Sequence, residues 1–254
     1  MKRNRAFFIG ILLLAAMSLQ AHHAMEFISL ESYNTAPRGA FVFHLHHDYM
    51  VDDRDQPNLD HWELTPGMSY GITDRFMIDV HGHFAKFGFG HLINTNTLPS
   101  FYPHGPSPFM EAIAFSAQYQ ITRDTPIEIG MTVTYERPFD RSVELLGGEQ
   151  VFAAALIVNK PLPGHKNLLL NLYSEYEAEE LAYGWGLGLR APLTSDAHGI
   201  AAGLEVLGDF EGEYSLLPGI YFPLCMQDII FKTGLEFSPD NGATRSNLTL
   251  MYRF

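Results

Sequence analysis

From about residue 39 to the end, apolar and polar residues alternate one by one in stretches of about 10 to 13 residues. In an extended chain successive side chains point to opposite faces, so strict alternation means that each face meets a different medium. Twelve stretches follow this rule: Gly39–Val51, His61–Ile72, Arg75–Gly88, Phe109–Ile121, Ile127–Pro138, Gln150–Pro161, Asn167–Glu179, Leu181–Pro192, Ile200–Phe210, Tyr214–Leu224, Ile229–Phe237 and Arg245–Phe254. Their length suits a tilted strand crossing a bilayer, and none is the ~20-residue apolar run a membrane helix needs. The pattern predicts an all-β fold, a transmembrane antiparallel up-and-down β-barrel over residues 39–254. About 12 strands are expected, within a range of roughly 10–14.

Face assignment sharpens the picture. Phe41, Phe43 and Leu45 share one face, as do Trp62, Leu64, Met68 and Tyr70, then Phe76, Ile78, Val80 and Phe84, then Ile129, Met131, Val133 and Tyr135. Leu181, Tyr183, Trp185, Leu187 and Leu189 repeat it, opposite Gly184, Gly186, Gly188 and Arg190. A charge facing lipid near the midplane costs roughly 2 to 4 kcal/mol, and these faces avoid one. The opposite faces collect His44, His46, Asp48, Glu63, Asp79, His81, His83, Glu128, Glu136, Glu175, Glu177, Glu205, Asp209, Lys232, Glu236 and Arg253, which are assigned to the lumen. A β-sandwich also alternates, but it keeps its apolar face inside. Short polar connections such as Thr73-Asp74 and Pro163–Lys166 alternate with long ones, Asp52–Asp60 and Phe89–Pro108, as in membrane barrels with long outer loops. The Phe89–Pro108 link is expected to fold inward or cover the mouth.

The amino terminus supplies an address. Lys2, Arg3 and Arg5 precede an apolar run, Ala6–Leu19, of secretory-signal length. Residues 1–21 are read as a cleaved signal peptide and 22–38 as a periplasmic or plug-like N-terminal segment before the barrel. Outer-membrane location follows as an expectation. Cys225 is alone, so no disulfide framework exists. Loss of the three basic signal residues takes the formal charge from −13 to −16, which argues against nucleic acid as a partner.

Histidine crowds the first three stretches. His44-Leu-His46 and His81-Gly-His83 each put two imidazoles on one strand face, about 7 Å apart. With Glu63 they form a candidate zinc or copper site, a divalent metal being the cofactor weighed. A three-residue turn at Ile72–Asp74 would set Glu63 opposite His83 and Thr65 opposite His81. The plainer reading is polar lumen filling. His22 and His23, with Met25 and Glu26, form a second, weaker copper candidate. The inward carboxylates would favour cations over anions. Ser69, Ser116 and Ser174 are candidate nucleophiles for a lipid-active enzyme, but none sits in a nucleophile motif. Catalysis is not expected. The reading is a monomeric channel for small solutes, with membrane lipid and the barrel assembly machinery as partners.

Two resemblances point the same way. The last strand, with Leu248, Leu250, Tyr252 and Phe254 on one face, resembles the closing strand of Gram-negative outer-membrane barrels, which typically end on Phe. This implies that these four residues act as an assembly signal. Glu31–Gly39 and Tyr70–Arg75 resemble segments of a transporter-like barrel family first associated with operons for degrading phenol and related aromatics. That resemblance implies transport rather than catalysis and assigns no ligand residue.

Overall fold

The computed structural model describes residues 27–51, 61–87, 109–139, 150–194, 199–224, 229–239 and 244–254. Twelve strands follow in chain order: β1 (Phe41–Val51), β2 (His61–Thr73), β3 (Phe76–Phe87), β4 (Phe109–Gln120), β5 (Glu128–Pro138), β6 (Val151–Leu162), β7 (Lys166–Glu177), β8 (Glu180–Pro192), β9 (Ala201–Asp209), β10 (Tyr214–Leu224), β11 (Ile229–Phe237) and β12 (Thr244–Arg253). Each pairs antiparallel with its sequence neighbours, and β12 pairs with β1 to close the ring. Closure leaves no unpaired edge. Phe254 N–H donates to the Phe41 carbonyl and Phe41 N–H donates to the Phe254 carbonyl, each at 3.0 Å. The chain's last residue thus completes the seam.

The outer face is the apolar one. Phe43, Met68, Ile78, Met131, Val133, Leu187, Leu189, Leu248 and Tyr252 are all exposed. The inner face buries Asn159, Asn171, Glu205, Lys232, Asn247 and Thr249. This is the arrangement of a barrel with a polar interior, inverted relative to a water-soluble sandwich. Among the connections at the end away from the termini, Ala178-Glu179 is a tight two-residue turn with both residues at positive φ, 51° and 66°. Short links therefore occur at both ends, where the sequence reading put them at one. The links at 52–60, 88–108 and 140–149, the stretch 1–21 read as a signal, and His22, His23, Met25 and Glu26 lie outside the described residues.

One register differs from expectation. The β2–β3 turn is Asp74-Arg75, with Thr73 opposite Phe76 and an irregularity between Gly71 and Thr73. Gly67, not Thr65, lies opposite His81, and Ala85, not His83, lies opposite Glu63. The slip is of two residues, and because strand side chains alternate with period two, every inward residue stays inward.

Candidate functional site: a lumen holding its own N-terminal segment

Residues 27–38 lie inside the ring. Their partners belong to strands all round the wall, which only a segment within the closed barrel can reach. Phe27 and Leu30 pack with Ile157 of β6 and Leu169 of β7, while Ile28 packs with Ala201, Leu217 and Tyr221 of β9 and β10. Ala36 packs with Val42, Met77 and Met251. Of the two readings for the N-terminal segment, a plug describes residues 27–38, and a free periplasmic segment does not. Burial of Phe27, Ile28, Leu30 and Tyr33 against the wall is the reason.

The inward glycines make room for this plug. A Cβ at Gly188 would fall 2.5 Å from Phe27 Cε1, one at Gly186 2.2 Å from Leu30 Cδ2, and one at Gly219 2.3 Å from Ile28 Cδ1. Polar anchors then fix the backbone. The buried Glu205 carboxylate accepts three consecutive amides, from Ile28 (2.7 Å), Ser29 (2.9 Å) and Leu30 (2.9 Å), as well as the Tyr221 hydroxyl at 3.1 Å. Lys232 Nζ donates to the Phe27 carbonyl at 2.7 Å. Asn171 Nδ2 donates to the Glu31 carbonyl, and Gln118 Nε2 to the carbonyls of Ser32 and Tyr33. Tyr33 donates its hydroxyl to the Thr122 carbonyl, and burial, with the nearby Glu128 charge, pushes this phenol up to about 12. Buried backbone groups of an irregular segment need such partners, and here the wall side chains supply them.

Beside the plug stands the histidine cluster. Asp79 is its hub: Oδ2 accepts from His44 Nε2 (2.7 Å) and Ser69 Oγ (2.7 Å), and Oδ1 from His81 Nδ1 (2.6 Å). His44 reaches Asp79 from β1 by crossing Gly67 of β2. His46 hydrogen-bonds Thr249 through Nδ1 at 2.9 Å. His83 lies 3.3 Å from Glu136. Glu63 stands apart, facing Arg245 at 3.5 Å, whose guanidinium also donates to Asp48 at 2.5 Å. The five residues expected to share a metal are thus divided among four groupings. Among the described residues no group of three or more His, Cys, Asp or Glu is arranged to hold a metal ion. The nitrogens of His44 and His81 converge on a carboxylate instead of a common point.

The other lumen assignments divide similarly. Glu128 accepts from Asn159 Nδ2 (2.7 Å) and Glu236 from Ser215 Oγ (2.6 Å). Arg253 faces inward opposite Val42. Glu175 and Glu177 stand on the same face as Asn171, near the end of β7, and both are exposed. Asp209 is corrected: its Oδ1 accepts the amides of Glu211, Gly212 and Glu213, so it caps the turn after β9 and does not line the lumen. Of the serines, Ser69 donates to a carboxylate, Ser116 shares a hydrogen bond with Thr134, and Ser174 lies on the outward face opposite Ala154 and Tyr183. None makes a hydrogen bond to an imidazole nitrogen among the described contacts.

A cavity of about 250 Å³ remains between plug and wall, lined by Glu31, Ser32, His44, His46, Thr65, Asp79, His81, Ser116, Gln118, Thr132 and Lys232, with Phe27–Leu30 and Met77. The Glu31 side chain is accessible from this space yet encircled by the barrel. Burial, then the Asp79 charge, raises its carboxyl above the ordinary value, while His81 and His44 oppose the shift. The sequence reading missed Glu31, Arg245, Asn171, Gln118 and Tyr221. The inward run Gly184, Gly186, Gly188 was the available signal, since a wall without side chains needs something to fill it.

No family model matches the chain, and no curated protein matches it in sequence. Solved structures do. The KdgM porin superposes with a TM-score of 0.58 at 9% identity, over 84% of this chain and 99% of that one. The KdgM porin in complex with disordered oligogalacturonate gives 0.57 at 8% identity over the same shares. An outer membrane channel from Pseudomonas putida F1 gives 0.57 at 12% identity, over 90% of this chain and all of that one. At these identities the likeness is one of fold: a closed twelve-stranded barrel of the outer-membrane porin type. The narrower resemblance to the phenol-operon family is not shown.

Proposed function

We propose that this chain is an outer-membrane channel for small polar solutes, its path running between the N-terminal plug and the wall of β1–β4. The observation that carries the reading is the plugged polar lumen: a closed apolar-coated ring enclosing a polar space of about 250 Å³ beside a segment held by side-chain hydrogen bonds. A solid protein core would leave no such space. The channel and porin neighbours of the same fold support it. The phenol-operon resemblance favours transport as well, and its two stretches meet here: Arg38 N–H donates to Asp74 Oδ1 at 3.1 Å and Gly39 N–H to the Gly71 carbonyl at 2.7 Å. Catalysis has no comparable support, since Ser69, Ser116 and Ser174 make their hydrogen bonds to Asp79, to Thr134 or to none of the described imidazoles.

Discrete conductance steps from refolded protein in planar bilayers are the expected result. Deletion of residues 27–36 should enlarge them. Absence of conductance from both forms would reject the channel reading.

A further inference from the structure

Most wall carboxylates in the lumen already have partners. Asp79 is held by two imidazoles and a hydroxyl, Glu205 by three amides and a phenol, and Asp48 and Glu63 face Arg245. Glu128 and Glu236 accept from Asn159 and Ser215, while Glu136 lies 3.3 Å from His83 Nε2 without a hydrogen bond to it. A carboxylate whose lone pairs are occupied offers a passing cation little. Glu31 differs. Its backbone carbonyl is taken by Asn171 on β7, and its carboxylate has no hydrogen-bonding partner among the described residues. Its side chain lines the cavity that His44, His46, Asp79 and His81 border from β1 and β3.

We propose that Glu31, carried on the plug and not on the wall, is the cation-binding group of the lumen. Its ligand is a small monovalent cation, hydrated potassium or a primary ammonium, seated in the cavity between the Glu31 carboxylate and the His–Asp wall. The surroundings suit such a cation: the hydroxyls of Ser116, Thr65 and Thr132 border the same space and accept from water or from an N–H donor. Lys232 also borders it, but this ammonium is 1% exposed and donates to the Phe27 carbonyl. The inference rests on the channel reading and moves the cation preference from an acidic wall to one residue of the inserted segment.

The test compares wild type, Glu31→Gln, Glu128→Gln and Glu136→Gln, each shown by heat-modifiable migration to be folded. Reversal potentials under a potassium chloride gradient should show cation preference in the wild type and in both wall variants. In Glu31→Gln the permeability ratio should fall several-fold toward unity. A ratio unchanged in Glu31→Gln, or lost equally in the wall variants, overturns the proposal. A second readout does not need current: in ¹³C-glutamate-labelled protein, the carboxyl resonance missing from Glu31→Gln should shift saturably with methylammonium chloride. No shift overturns the site, whether or not the protein conducts. Wild type and plug-deleted protein that both fail to conduct reject the channel reading, and the methylammonium titration then decides the site alone.

Discussion

His44 lies across the face of Gly67 on its way to Asp79. A Cβ at Gly67 would sit 2.3 Å from His44 Cε1, 2.6 Å from its Nε2 and 2.6 Å from the Cβ of His81. The bare backbone at this one position lets an imidazole from β1 bond a carboxylate on β3, over the strand between them. Gly67→Ala is therefore expected to push His44 away from Asp79 and to cost about 1 to 3 kcal/mol through overpacking. The check is the denaturation midpoint of the folded barrel in detergent. An unchanged midpoint would mean that the ring finds another position at no cost.

Glu205 fixes the plug more than the wall. Removing its carboxylate leaves the buried amides of Ile28 and Leu30 and the Tyr221 hydroxyl without their acceptor, a loss of about 1 to 3 kcal/mol for each group left unsatisfied. Glu205→Ala should leave the barrel heat-modifiable while raising its conductance. Lower conductance with an intact barrel would place the anchor's role elsewhere.

Bulk added to the wall should open the path instead of narrowing it. A Cβ at Gly188 already falls 2.5 Å from Phe27 Cε1 and 2.7 Å from Leu30 Cδ1. Gly188→Val must displace both side chains, so larger or longer openings are expected in bilayer recordings. A simple pore-lining position would give smaller ones.

Plug docking should weaken as pH rises. Glu31 titrates above its ordinary value of 4.5 in the docked state, with burial first among the causes and Asp79 second. The docked segment therefore binds more protons than the released one. Its stability is fullest below the ordinary value and declines as pH rises through the raised one. The groups facing Glu31 are His44, His81 and Asp79 of the wall, with Lys232 bordering the same cavity. Protease access to residues 27–36 should accordingly increase from about pH 4 upward. In Glu31→Gln this part of the pH dependence should vanish. Increasing access on acidification in that range would contradict the sign.

Phe254 should matter for closure. Its two backbone hydrogen bonds to Phe41 form the last rung of the seam, and the two rings stack with centroids 5.7 Å apart. Deleting Phe254 is expected to spare export and slow membrane assembly, as read by the fraction of heat-modifiable protein over time. Normal assembly kinetics would remove the residue from the closing signal.

Much of this architecture was legible in the alternation alone. Period-two patterning depends only on which face of a strand each side chain takes, so Phe43, Met68 and Ile78 were assigned outward and Asp79, Glu205 and Lys232 inward without knowledge of neighbours. The strand count follows from the same local rule. Register does not: a two-residue turn together with the irregularity between Gly71 and Thr73 moved His81 opposite Gly67 while leaving every face unchanged.

The site was less legible because its contacts join residues far apart in the chain. Glu205 and Ile28 are 177 positions apart, and Lys232 and Phe27 are 205. No periodicity links such pairs, and only closure of the ring brings them together. The histidines show the same division. Their spacing along β1 and β3 placed them on the lumen side, but a metal site needs lone pairs aimed at one point. The crossing over Gly67 instead gave two imidazoles the same carboxylate, Asp79. The sequence by itself determined the barrel, its polarity and its inward chemistry, because these depend on side-chain alternation along each strand. The tertiary structure alone decided that residues 27–38 fill the lumen and that most wall carboxylates are paired, because those contacts exist only once β12 meets β1 and encloses the segment.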